Sequence, residues 1–279
     1  MQILILGCGY LGGRVAAAYH ADGHAVTALT RSPQRAADFH DRGWMPVVGD
    51  VTELLDTLSL PAADIILYAV GCDRSGEKPA AELRLEGLGN VLHAFGDRLP
   101  ERFVYVSSTG VYGQTGGEEV DESSPTEPSD DAGRAVLPDE PLLCQHCPAA
   151  IRLRFAGPQP RRTDQPAGAV NAGEPIPGDA DGWLNPIHVD DGVRAVRAAA
   201  ERGEPGAVYN VSDGHPVRRR DFYAELARLL GTPAPHFAGP PVPGAPNRRI
   251  VSRRLREELG VDLAYPSYVE GLRQAVNAG

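Results

Sequence analysis

The chain opens MQILILGCGYLGGRVAAAYHADGHAVTALTR, residues 1–31, and the reading of this stretch decides the fold. Residues 1–6 are a short, almost wholly apolar run, Gly7-Cys8-Gly9-Tyr10-Leu11-Gly12 follows at once, and residues 14–19 read as an alanine-rich helix. Strand, glycine turn and helix, followed by a second apolar strand at residues 24–29, are the opening of a dinucleotide-binding βαβ unit. Gly7 permits the tight turn, Gly9 lets backbone approach a diphosphate, and Gly12 lets the helix pack close to the strand. The phosphates would rest on N–H groups at the start of the helix, where Tyr10 and Leu11 stand.

The end of the second strand chooses between dinucleotides. An acidic residue there would hydrogen-bond the ribose 2′-hydroxyl of NAD, whereas a nearby arginine accommodates the 2′-phosphate of NADP. The sequence has Thr30-Arg31-Ser32 with Arg35 one turn on, so NADP is the expected cofactor. The competing reading of Arg31 is a solvated loop residue.

With 279 residues the chain is long enough for one large α/β domain, or one plus a smaller lobe. Its 27 basic and 37 acidic residues give a net charge of −10, which argues against nucleic acid or an anionic membrane as partner. No apolar run approaches the length of a membrane span, and the first residues read as a strand rather than a signal peptide, so the expected compartment is the cytoplasm. Four cysteines do not make a disulfide framework in a chain of this size. Cys144-Gln-His-Cys147 has redox-motif spacing but reads better as an element boundary before a core strand, and no second ligand pair points to a metal.

Short helices and apolar strands alternate onward: a helix at 33–42, strands at 44–48 and 64–70, a long amphipathic helix at 77–96, and a fifth strand at 103–106. Asp50 and Val51 after the third strand, and Ala69, Val70 and Gly71 at the end of the fourth, fall on the carboxyl edge where doubly wound sheets bind ligands. They are the expected adenine and ribose contacts. Residues 116–131 are acidic and irregular and read as a solvated loop, with a lid as the alternative. Prolines 138 and 141 shorten or kink any helix at 133–143. A sixth strand at 149–155 precedes a proline- and glycine-rich excursion to about residue 182, with Arg161-Arg162 as a solvated pair or an anion clamp. A helix at 192–202, with Asp190 or Asp191 placed to cap it, a strand at 208–211 and a helix at 217–230 follow. Residues 232–247 are too rich in proline for regular structure, and helices at 252–259 and 267–276 come last.

Residues 103–113, FVYVSSTGVYG, resemble the extended short-chain dehydrogenase/reductases, the NAD(P)-dependent epimerase/dehydratase family. The GCGYLG turn, IRLRFAGP at 151–158, and IHVDD at 187–191 with Tyr209-Asn210-Val211 behind it agree in order and spacing. The G-x-G-x-x-G turn is one residue shorter than usual there, which points to an atypical subgroup. The resemblance implies a doubly wound parallel (Rossmann) sheet with a small C-terminal substrate lobe. The expected division is 1–157 plus 185–213 for the cofactor domain, and 158–184 plus 214–279 for the lobe.

The resemblance also implies that Ser108 binds the reacting carbonyl or hydroxyl and that Ser107 lines the nicotinamide pocket. The family's acid/base pair, Tyr-x-x-x-Lys, would align with Ala132 and Val136, so neither residue is present there. Tyr112, His188, Arg152 and Arg154 are the remaining polar candidates: Tyr112 or His188 for proton transfer, one of the arginines for an anionic substrate. Two functions follow: an NADP-dependent oxidoreductase or epimerase/dehydratase-like enzyme on a small carbonyl, alcohol or sugar-nucleotide substrate, or an inactive NAD(P)-binding sensor or scaffold. The expected state is a monomer or homodimer.

Overall fold

The computed structural model describes residues 1–53, 60–71, 79–157, 165–239 and 242–277. The first half of the chain runs β1 (Gln2–Leu6), α1 (Tyr10–Ala21), β2 (Ala25–Thr30), α2 (Pro33–Asp41), β3 (Met45–Val48), β4 (Ile65–Tyr68), α3 (Ala80–Phe95), β5 (Arg102–Ser108) and β6 (Glu118–Val120). Then come α4 (Asp131–Val136), α5 (Asp139–His146), β7 (Ile151–Phe155), α6 (Gln165–Asn171), β8 (Ile176–Pro177), β9 (Trp183–Leu184), α7 (Val189–Arg202) and β10 (Val208–Val211). The remainder is β11 (Val217–Arg218), α8 (Arg219–Leu230), β12 (Phe237–Ala238), β13 (Arg248–Ile250), α9 (Arg253–Glu257) and α10 (Tyr268–Asn277). The expected beginning of α3 at residue 77 lies outside the described residues.

A seven-stranded sheet has the order β10-β7-β5-β4-β1-β2-β3. β1 pairs in parallel with β2 on one side and β4 on the other, so strand order reverses beside β1, as the doubly wound reading expects. The registers Leu6↔Leu29 and Leu6↔Tyr68 bring the carboxyl ends of these strands level. Leu88, Val91, Leu92 and Phe95 of α3, spaced three and four apart, pack with Leu4, Leu6, Ile66, Phe103 and Tyr105. Burying each such side chain is worth roughly 1.5–3 kcal/mol.

Two compact units emerge, one of Met1–Ser108, Ala132–Arg154 and Val193–Tyr209, the other of Thr109–Asp131, Phe155–Gly192 and Asn210–Gly279. Thr109–Asp131 thus falls in the second unit, whereas the sequence places it in the cofactor domain. The cause is local. Glu118–Val120, inside the acidic stretch read as a loop, is a strand pairing in parallel with β13 through Arg248↔Glu118 and Ile250↔Val120. The second unit has its own core, with Val170, Ile176, Phe222, Leu226, Leu272 and Val276. Asp191 is no simple cap of α7, because its carboxylate is buried and accepts the backbone N–H groups of Ala264 (2.7 Å) and Tyr265 (3.0 Å).

Candidate functional site

The carboxyl ends of β1, β2, β3 and β4 border a groove of about 800 Å³ in the first unit. The turn contributes Gly7, Cys8 and Gly9, the end of β2 Arg31, Ser32 and Arg35, the segment after β3 Asp50, Val51 and Thr52, and the end of β4 Ala69, Val70 and Gly71. Leu83 and Arg84 of α3 complete the wall. Gly7, Gly9, Arg31, Asp50, Val51, Ala69, Val70 and Gly71 of the sequence's cofactor set are therefore brought together. Tyr10, Leu11 and Gly12 lie behind the turn in α1, and Ser107 does not line the groove.

The three turn glycines differ in what requires them. Gly7 has φ +96°, and a Cβ there would stand 2.3 Å from the backbone of Ala69. A Cβ on Gly12 would meet the Gly7 carbonyl oxygen at 2.2 Å, so α1 packs on the turn only because that atom is missing. A Cβ on Gly9 would meet nothing within 4 Å. Internal packing makes no demand for glycine at 9, and its bare backbone faces the groove, which fits a diphosphate laid against it. α1 carries no side-chain cap and no acidic residue in its first turn, so the positive end of its dipole is not offset there.

Cations stand on the β2 side. Arg31, 62% exposed at its side chain, lies 3.6 Å from an Asp50 carboxylate oxygen, while the other Asp50 oxygen accepts both the backbone N–H and the hydroxyl of Thr52. Arg35 donates to the Cys8 carbonyl at 2.5 Å, and its own N–H is capped by Ser32 Oγ. This staples α2 to the glycine turn. Asn90 of α3 donates to the carbonyls of Val51 (2.9 Å) and Glu53 (3.2 Å), fixing the segment that carries Asp50.

Two buried carboxylates at the start of α5 organise the β4–β5 side. Tyr105 donates its hydroxyl to Asp139 Oδ2 at 2.5 Å, and Arg84 donates to the same oxygen through Nε at 3.0 Å. Burial pushes the Asp139 carboxyl up, against the opposing pull of Arg84 and Tyr105. Next to it Glu140 accepts Ser107 Oγ at 2.7 Å and a two-pronged contact from Arg154, Nε at 2.9 Å and Nη2 at 2.7 Å. Burial alone would raise the Glu140 carboxyl, but the hydrogen bonds and charge of Arg154, the Ser107 hydrogen bond and the charge of Arg152 together outweigh it, and the group sits below its ordinary range. Ser107 and Arg154 are thereby members of one buried network. Arg152 donates to the Gly206 carbonyl at 2.6 Å and lies 3.9 Å from Glu140. None of Arg84, Asp139 and Glu140 was legible as a site residue. A single arginine between leucines on a helix reads as solvated, and two carboxylates between prolines read as a helix start.

Ser108 is half-buried at the end of β5. Tyr112 is fully buried in the second unit and donates its hydroxyl to Asn210 Oδ1 at 2.8 Å, a geometry that fixes the phenol in place. His188 is 2% exposed, with Nε2 2.8 Å from Gln274 Oε1 and its ring 3.8 Å from that of Tyr265. Cys147 closes α5 and is buried, which pushes its thiol up and away from thiolate chemistry. Arg161 and Arg162 lie outside the described residues. Among the described residues no group of three or more His, Cys, Asp or Glu side chains could hold a metal ion, and no helix is long and apolar enough to cross a membrane.

Residues 3–135 match the model of the NAD dependent epimerase/dehydratase family. Along 95% of its length the chain is 30% identical to protein YeeZ of Escherichia coli, covering 96% of that protein. It is 28% identical to a 3-diazoavenalumate denitrifying reductase of a Streptomyces species, with 98% of this chain and 99% of the relative aligned. The UDP-glucuronic acid 4-epimerase of Bacillus cereus, solved with UDP-glucuronic acid and NAD, superposes with a TM-score of 0.84 over 99% of this chain and 98% of its own, at 19% identity, a likeness of fold.

Proposed function

The chain belongs to the NAD dependent epimerase/dehydratase family, and from that premise we propose that it is an NADP-dependent oxidoreductase acting on a small carbonyl or alcohol. The observation that carries the proposal is the groove itself, which runs from bare backbone at Gly9 to two guanidinium groups at Arg31 and Arg35. The turn would bind the diphosphate, Arg31 the 2′-phosphate with Arg35 beside it, and Asp50, Val51, Ala69, Val70 and Gly71 the adenine and ribose. NADP supplies or accepts hydride at its nicotinamide ring. Ser108 would orient the substrate oxygen, and Ser107 would hold the adjoining strand end through Glu140. The reductase among the relatives supports reduction, and the sugar nucleotide bound by the B. cereus enzyme supports a sugar nucleotide as the alternative substrate class.

Titration with NADPH and NADH tests the cofactor. The proposal expects NADPH to bind at least tenfold tighter, and Arg31→Ala to erase most of that preference; tighter NADH binding overturns it. NADPH oxidation across aldehydes, ketones and sugar nucleotides tests the chemistry, with loss of turnover in Ser108→Ala expected. A second reading, a cofactor-binding sensor without turnover, is favoured by Ala132 and Val136 in place of the tyrosine and lysine. Tight NADPH binding with no turnover on any panel member would select it.

A further inference from the structure

We infer that Arg84 is a cofactor-binding cation for the nicotinamide-side phosphate and ribose, with Asp139 and Tyr105 as its positioning residues. This rests on the dinucleotide reading of the groove and extends it to the nicotinamide half.

Topology sets the argument. β1 lies between β2 and β4, so a dinucleotide with its 2′-phosphate at Arg31 beyond β2, and its diphosphate on the turn after β1, extends its other half toward β4 and β5. The groove wall on that side is Val70, Gly71, Leu83 and Arg84. Arg84 stands there in a fixed pose. Its Nη1 donates to the Val70 carbonyl at 3.3 Å, its Nη2 to the Tyr105 hydroxyl at 3.0 Å, and its Nε to Asp139 Oδ2 at 3.0 Å. The side chains of Arg84 and Asp139 are 11% and 2% exposed, so little rotamer freedom remains to be lost when an anion docks.

A structural ion pair tying α3 to α5 accounts for Asp139. It does not account for the place of Arg84 in the groove wall, since an arginine turned wholly away from the groove would tie the helices as well. The sequence supplies the complement: Val136, where the family resemblance expects the lysine that holds the nicotinamide ribose, is apolar and 8% exposed. Arg84 brings to the groove wall a charge that Val136 lacks. Its planar fork also suits paired phosphate or ribose oxygens better than an ammonium would.

The test compares NADPH with 2′,5′-ADP, which carries the 2′-phosphate but lacks the nicotinamide half. Arg84→Gln should weaken NADPH at least tenfold while leaving 2′,5′-ADP within twofold, and Arg84→Lys should recover part of the loss. Arg31→Ala should weaken both probes. Because Arg84→Gln leaves Asp139 buried without its cation, the double variant Arg84→Gln/Asp139→Asn is measured alongside; it should keep the wild-type melting temperature more closely and show the same selective loss. A folded Arg84→Gln or double variant that binds NADPH within twofold of wild type, or that loses both probes equally, overturns the inference while the cofactor reading stands. Wild-type protein that binds neither probe overturns both.

Discussion

Arg154 grips Glu140 through two parallel hydrogen bonds, Nε to Oε1 at 2.9 Å and Nη2 to Oε2 at 2.7 Å, with both side chains less than 9% exposed. A buried pair of this kind is costly to break from one side, because the surviving charge is stranded. Glu140→Gln should therefore destabilise the protein by roughly 3–5 kcal/mol in urea unfolding, whereas Glu140→Leu with Arg154→Met should recover most of it. The Glu140 carboxyl is held below its ordinary range, so its stabilisation is complete above the unfolded-state value and disappears as pH falls through the lowered one. Wild type should accordingly lose stability on the acid limb, and Glu140→Gln should flatten that limb.

Asp213 has the opposite sign. Its carboxyl is fully buried in the second unit, and burial pushes it up to about 7 despite the His215 N–H it accepts and the charge of Arg256, with Asp191 and Glu270 adding to the rise. A raised carboxyl costs stability as pH climbs from the unfolded value of 3.8 to about 7, with a slope of up to about 1.4 kcal/mol per pH unit. Melting curves between pH 4.5 and 8 should show wild type declining and Asp213→Asn nearly level. Parallel curves would remove the assignment.

Gly7→Ala should abolish NADPH binding and destabilise the first unit. The residue sits at φ +96° and its added Cβ would fall 2.3 Å from Ala69 backbone, so strain and collision act together. Gly9→Ala collides with nothing internal. It should leave the melting temperature within about 1 °C, the scale of a surface change well under 0.5 kcal/mol, while reducing cofactor affinity. The pair of variants separates folding from ligand approach.

Tyr112→Phe should cost about 1–2 kcal/mol, the penalty of leaving Asn210 Oδ1 without its donor in a buried setting. Turnover should stay within a few-fold of wild type. A loss of a hundredfold or more at unchanged stability would instead make this phenol the proton donor.

The central sheet was legible because a strand, glycine turn and helix open the chain and short apolar strands then alternate with helices, and Arg31 and Asp50 were legible because they follow strands on the edge where doubly wound sheets bind ligands. The pairing of Glu118–Val120 with Arg248–Ile250 was not, since exposed acidic residues carry no apolar alternation to announce a strand. The role of Asp191 was missed for a related reason. A carboxylate at the start of a helix looks like a cap, and only the tertiary fold brings Ala264 and Tyr265 to it. Arg84 illustrates the same limit at the groove, where the sequence records a charge and the fold alone decides what it faces.

The β6–β13 pairing joins residues about 130 positions apart, and this bears on how the protein emerges from the ribosome. Strands β1 to β5 are all translated by residue 108, and the first hundred-odd residues already hold most of the groove. The second unit can close only after Arg248–Ile250 has left the exit tunnel, so Glu118–Val120 waits as an unpaired edge through half of synthesis. Its two exposed glutamates, which discourage pairing with another strand, suit it to that wait.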